Sequence, residues 1–410
     1  MAPRPRHMHD PGMPDPNDKP ATHLRATDLR GASRLAVDAT LGLTRLVENL
    51  HHNILRAPGP LGAVSEQPTG GITGLVYRSI RGVTRLVGGS LDALLAQVVP
   101  LLGAGGGIAS PERDAVLAAL NGVLGDHLEA TGNPLAITMA LRHDGQARGR
   151  ALLMVHGLCM NPLQWRRHGH DHGATLAAEG GFTPLYLHYN SGLHISTNGQ
   201  LLADRLGTLA RTWPVPLDEL VILAHSMGGL VARSAVQQAR ARGDTWPQRL
   251  TKLVFLGTPH HGASLERGGH WIDVLLGASP YTAAFARLGK LRSAGITDLR
   301  HGSVMEADWA GSDRFVHGHD TRTKLPLPDG VACHAIAGSL GVEPGALREK
   351  LLGDGLVSVD SAFGRHKQKA RCLNFEPERQ WIAQGAGHLD LLDNEQVLEQ
   401  LRRWLLPTGP

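Results

Sequence analysis

Apolar residues recur at helical spacing in two stretches near the start of the chain. From Ser33 to Arg56 they are Leu35, Ala39, Leu43, Leu46, Val47, Leu50 and Ile54; the same spacing runs from Ile72 to Val98. Both read as amphipathic helices, separated by the Pro/Gly-rich segment Pro58 to Gly71 and stopped by Pro100. A third helix follows Ser110-Pro111 and runs to about Ala130. The motif Gly42-Leu-Thr-Arg-Leu-Val47 returns at Gly82-Val-Thr-Arg-Leu-Val87, which suits an αα-hairpin but is too short to define a repeat architecture.

The pattern changes between Gly132 and Arg150. Beyond it come short apolar runs of buried-strand type: Arg150 to Val155, Pro184 to Leu187, Glu219 to Leu223 and Lys252 to Leu256. Helical patterns at about Leu201 to Arg211 and Met227 to Arg242 separate them, and Val331 to Ala337 and Arg371 to Phe375 are candidate later strands. Strands alternating with helices imply βαβ units and a mostly parallel sheet. The expected organisation is a disordered segment 1–30, a helical extension 31–140 and an α/β domain 145–410.

Composition narrows this only a little. The chain has 410 residues, 42% hydrophobic and 19% charged, as in a globular protein. A net charge of +4 is too thin over that length to indicate nucleic acid, although it permits attraction to anionic surfaces. Arg45, Arg78, Arg81 and Arg85 stand on the polar faces of the two expected amphipathic helices, which suits peripheral contact with a membrane or lipid surface and equally a dimerisation hairpin or a clamp on the α/β domain. Cys159, Cys333 and Cys372 have no framework spacing, and the N-terminus lacks an apolar leader core. No apolar run reaches the roughly 18 residues a spanning helix needs. A cytoplasmic location is expected on these grounds.

Ala224-His225-Ser226-Met227-Gly228-Gly229 carries the candidate chemistry. It follows the apolar run Glu219 to Leu223 directly and opens a helical pattern, the strand–turn–helix context of a nucleophile elbow. So tight a turn needs small residues two positions either side of the serine, here Ala224 and Gly228. Ser226 is the candidate nucleophile, and the N–H of Met227, at a helix N-terminus, is aimed at a developing oxyanion.

The stretch LAHSMGGLVAR resembles the elbow of bacterial lipases and esterases of the α/β-hydrolase superfamily, in their PGAP1-like branch. The resemblance covers roughly residues 150 to 400. It implies an α/β-hydrolase fold with a mostly parallel central sheet, to which the helical pattern before residue 140 adds an N-terminal extension outside the resemblance. The apolar content of 262–303 fits a lid-like helical insertion, or equally the core packing of that insertion. The resemblance implies that the N–H of Leu158, after His156-Gly157, completes the oxyanion hole. In such enzymes the chain order is serine, acid, histidine. Asp354, in Gly353-Asp-Gly-Leu-Val357, matches the acid segment, with Asp360 as fallback, and His388, in Gly387-His-Leu-Asp-Leu-Leu392, is the base. His156, His225, Pro259, His260 and His261 are expected to border the substrate pocket.

The resemblance implies hydrolysis of carboxylic esters of a lipid-like or hydrophobic substrate through an acyl-enzyme. A polyester depolymerase and a thioesterase use the same machinery, and a non-catalytic lipid-surface scaffold is the reading of a different class. Serine chemistry requires no cofactor, and no metal is expected. His168, His170 and His172 read as a solvated, helix-capping cluster, and Cys159 as incidental.

Overall fold

The computed structural model describes residues 27–28, 30–38, 41, 111–143, 145–262, 293–310, 322–341 and 353–407. Most of the first expected amphipathic helix, all of the second, most of the expected lid and nearly all of the segment 1–30 lie outside these residues. The chain divides into two compact units, Met1–Arg113 and Asp114–Pro410. In the first, residues 30–38 are helical, and Asp28 pairs with Arg113 at 2.6 Å.

The second unit is built on a seven-stranded sheet. Its strands are β1 (Ala140–His143), β2 (Arg150–Val155), β3 (Thr183–His188), β4 (Glu219–His225), β5 (Leu250–Leu256), β6 (Ala332–Ser339) and β7 (Gln380–Gln384). They lie in the order β1-β3-β2-β4-β5-β6-β7. All neighbours pair in parallel except β1, which runs antiparallel to β3. The helices are α1 (Pro111–Ala130), α2 (His172–Gly180), α3 (Ile195–Thr212), α4 (Met227–Arg242), α5 (Ala294–His301), the single turn α6 (Val359–Ala362) and α7 (Glu395–Leu405). This is the α/β-hydrolase fold.

Burial on both faces explains why the central strands are near-continuously apolar. Leu153 and Val155 of β2, Ile222 and Ala224 of β4 and Phe255 of β5 join one core with α1, α3 and α4. Their alternates Leu152, Met154, Val221, Leu223 and Val254 join a second core with α2 and α7. Period two thus separates two hydrophobic layers rather than core from solvent.

Three expectations need revision. The helix from Pro111 was assigned to the extension, yet from Asp114 onward it belongs to the same compact unit as the sheet. There Ala119 and Val123 enter the first core. The segment Ala140–His143, inside the expected boundary, is an edge strand; its residues are at most half-buried, which hides the pattern. Arg371 to Phe375 makes no strand. A 3-10 turn over Lys369–Arg371 precedes it, and Leu373 and Phe375 are buried without ladder pairing. The edge strand is Gln380–Gln384 instead.

Candidate active site

Ser226 lies between the end of β4 and the first residue of α4, with φ 54° and ψ −127°. Few non-glycine residues adopt such a backbone, which costs on the order of 1–3 kcal/mol and persists only where the surroundings impose it. They do so here through Ser226 N–H, which donates to Leu256 O on β5 at 2.8 Å, and Ser226 O, which accepts from Gly229 N at 3.1 Å. Gly228 permits the turn: a Cβ there would stand 2.5 Å from Val155 O and 2.6 Å from His156 O.

The loop after β2 passes close to the serine. A Cβ on Gly157 would lie 3.0 Å from Ser226 Cβ and 3.3 Å from His225 Nδ1, so only glycine lets His156-Gly157-Leu158 approach so near. The backbone N–H groups of Leu158 and Met227 have no acceptor among the described residues. Both residues are buried. Two donors left open beside a strained serine are what an oxyanion requires.

Behind this loop lies α1. Gly122 faces Cys159, and a Cβ there would fall 2.2 Å from Cys159 Sγ. Cys159 itself has φ 58° and donates its N–H to Ser191 Oγ at 3.0 Å. Burial pushes its thiol up to about 12, so it is no nucleophile at neutral pH.

Asp354 and His388 meet across the loops after β6 and β7. His388 Nδ1 donates to Asp354 Oδ2 at 2.7 Å, and both residues are buried, at 3% and 4% exposure. The other carboxylate oxygen accepts the N–H groups of Leu356 at 2.9 Å and Val357 at 2.7 Å. His388 N–H in turn donates to Asp354 O at 3.1 Å. An acceptor at Nδ1 holds the imidazole proton there and leaves the Nε2 lone pair available for a hydroxyl proton. Asp360, the fallback, is exposed and near Arg365 at 3.3 Å.

The loop carrying His388 is tied to the strand that ends before Ser226 by His225. Its Nε2–H donates to the backbone carbonyl of His388 at 3.0 Å, and the two rings stand 4.6 Å apart. Burial, with His388 as the next contributor, holds His225 well below the usual imidazole range, so it stays neutral at pH 7 and donates from its Nε2 tautomer. A Cβ on Gly257 would meet Asp354 Oδ2 at 3.0 Å and His388 Cε1 at 3.2 Å, which keeps that position clear as well. The sequence does not announce this role for His225, although its place beside the elbow was a signal.

The five expected pocket residues have different surroundings. His156 is buried under the loop: its ring stacks on Tyr189 at 4.4 Å, its Nδ1–H donates to Gly157 O at 2.9 Å, and burial lowers its pKa to about 3. His225 anchors the base. Pro259 is buried, His260 contacts Arg233, and His261 bonds Gly364 O at 3.0 Å.

The histidine cluster is a hydrogen-bonded chain. His170 Nε2 lies 2.7 Å from His172 Nδ1, and His172 Nε2–H donates to Leu391 O at 3.1 Å. Asp171 caps α2 through Ala174 N–H at 2.9 Å, and His168 pairs with Asp393 at 2.6 Å. Among the described residues no group of three or more His, Cys, Asp and Glu is arranged to hold a metal ion. Nor is any helix among them long and apolar enough to cross a membrane.

Residues 146–326 match the family model described as the PGAP1-like alpha/beta domain. Among solved structures the chain is similar to the mature Bacillus licheniformis lipase BlEst2, at 16% identity over 66% of this chain and 98% of that one, TM-score 0.42. It is similar to a lipase-esterase related protein from Clostridium acetobutylicum, at 12% identity over 65% and 99%, TM-score 0.37. An esterase from Pyrobaculum calidifontis shows 14% identity over 65% and 79%, TM-score 0.39. No curated protein matches the chain.

Proposed function

From an α/β-hydrolase fold whose residues 146–326 match a PGAP1-like alpha/beta domain, we propose a serine hydrolase acting on carboxylic esters of lipid-like or hydrophobic substrates. One observation carries the reading: a buried Asp354–His388 pair at 2.7 Å, whose histidine backbone is held by the residue next to a strained serine.

Ser226 Oγ attacks the ester carbonyl as its proton passes to His388 Nε2. The oxyanion is held by the N–H groups of Leu158 and Met227. Collapse of the intermediate breaks the ester C–O bond, and His388 gives its proton to the departing alcohol. Water, deprotonated by the same nitrogen, then releases the acid and regenerates Ser226. Asp354 holds the tautomer throughout and stabilises the imidazolium.

The test is hydrolysis of a chain-length series of p-nitrophenyl esters by the full chain and by Ser226→Ala. Turnover that vanishes with the serine and rises with acyl length is expected. Ester cleavage that survives Ser226→Ala, or failure of a fluorophosphonate probe to label Ser226, would overturn the proposal.

A further inference from the structure

A cavity of about 280 Å³ lies beside α4, with Arg233, Arg322, Lys324, Arg371, His260 and His261 among the residues that line it. None of its described lining residues is acidic. Arg233 is seven positions after Ser226 on α4, about 10 Å along the helix axis at 1.5 Å per residue.

Arg233 is buried, at 5% exposure. One terminal nitrogen, Nη2, donates to Leu325 O, and Nη1 donates to His260 Nδ1 at 3.3 Å. Its Nε–H has no acceptor among the described residues. Because His260 Nδ1 accepts from a guanidinium, the ring proton is on Nε2, and that N–H is buried without an acceptor too. Burial lowers Arg233 to about 10, so it remains a cation at neutral pH. The carboxylate that acts on it, Asp308, is engaged elsewhere. Asp308 accepts from Val304 N at 2.8 Å, Met305 N at 2.9 Å and Thr323 N at 2.6 Å. A buried guanidinium with no paired carboxylate, beside a second orphaned donor, is costly to hold unless an anion visits.

We propose that this cavity binds a small oxyanion-bearing molecule, its phosphate or carboxylate head facing Arg233 and Lys324 and a short apolar part facing Val304, Leu325 and Leu373. The site is separate from the serine chemistry and does not depend on it.

The experiment is calorimetric titration of the full chain with orthophosphate and, separately, with butyrate at millimolar concentration. The variants are Lys324→Glu, Arg233→Met and Ser226→Ala. Saturable binding of at least one anion is expected, weakened about tenfold or more by Lys324→Glu, since a charge is reversed beside the site. Arg233→Met should lose it, and Ser226→Ala should retain it. Tighter phosphate assigns a phosphoryl head; tighter butyrate assigns a carboxylate with an apolar stem. Lys324 is exposed, so its variant keeps the test decisive if Arg233→Met does not fold. No saturable binding of either anion, or binding equal in Lys324→Glu and wild type, overturns the proposal.

Discussion

Replacing Asp354 by asparagine changes one atom's chemistry and almost none of the packing. The side-chain oxygen can still accept from Leu356 N and Val357 N, now at 2.9 and 2.7 Å, and the backbone bond from His388 N–H to Asp354 O is untouched. The amide NH2 then occupies the Oδ2 position, 2.7 Å from His388 Nδ1. Two donors cannot face each other there, so the imidazole must move its proton to Nε2, the atom that has to receive the serine proton. The expected loss is about 10⁴-fold in kcat, the scale known for this change of tautomer in serine proteases, or about 5 kcal/mol at 1.36 kcal/mol per decade. Thermal stability should change little, which separates a wrong tautomer from a damaged fold. The assay is steady-state hydrolysis of p-nitrophenyl butyrate between pH 6 and 9, with circular dichroism melting alongside. Activity within about tenfold of wild type would refute the assignment and turn attention to the exposed Asp360.

Two further expectations rest on other parts of the molecule. Gly157→Ala would put a Cβ 3.0 Å from Ser226 Cβ and 3.1 Å from Met160 Sδ, forcing the oxyanion loop back. Turnover should drop about 10–100-fold, short of the 10²–10³ for outright loss of a donor, with KM nearly unchanged; kcat equal to wild type in the same assay would count against Leu158 as donor. The buried imidazoles set the acid limit of stability. His156 is lowered to about 3 and His172 to about 4, while His225 and His260 lie well below their unfolded value of 6.5, all chiefly through burial. Because the unfolded chain takes up these protons first, their contribution is present above pH 6.5 and is lost as pH falls towards 4. Each gives somewhat over 1 kcal/mol per pH unit in that window, so the four give roughly 5, against a total stability of about 5–15 kcal/mol. Urea midpoints should therefore fall steeply from pH 6.5 to 5; a flat profile would contradict the neutral burial of these rings.

Short motifs made much of the site legible, because elbow, acid turn and base loop each depend on a few adjacent residues whose order the fold constrains. Ser226, Asp354 and His388 needed only local strings, and the structure brings the last two into hydrogen-bonding contact. The role of His225 was not legible, since it depends on a carbonyl 163 positions away. Nor was β1, whose residues face solvent too often to alternate. Arg371 to Phe375 misled because Leu373 and Phe375 are apolar at period two, as in a strand, yet are buried from an irregular loop. Pocket histidines were over-read: HHG after β5 says nothing about which cavity His260 and His261 will face.

The contact between α1 and the loop after β2 bears on what counts as the smallest working piece of this protein. The family match begins at residue 146 and stops at 326, so it holds Ser226 and Leu158 but neither Asp354 nor His388. Extending it to the C-terminus restores Asp354 and His388 and still omits α1. Without that helix Asn190 Nδ2 loses its acceptor at Gly125 O, 2.9 Å away, and Ser293 Oγ loses Gly122 O, 2.6 Å away. Ala294 N loses Asp126 at 2.9 Å, and the flank of Cys159 opens to water one residue from the candidate donor Leu158. A fragment that keeps these contacts therefore has to start ahead of Pro111, some 35 residues before the boundary that similarity draws.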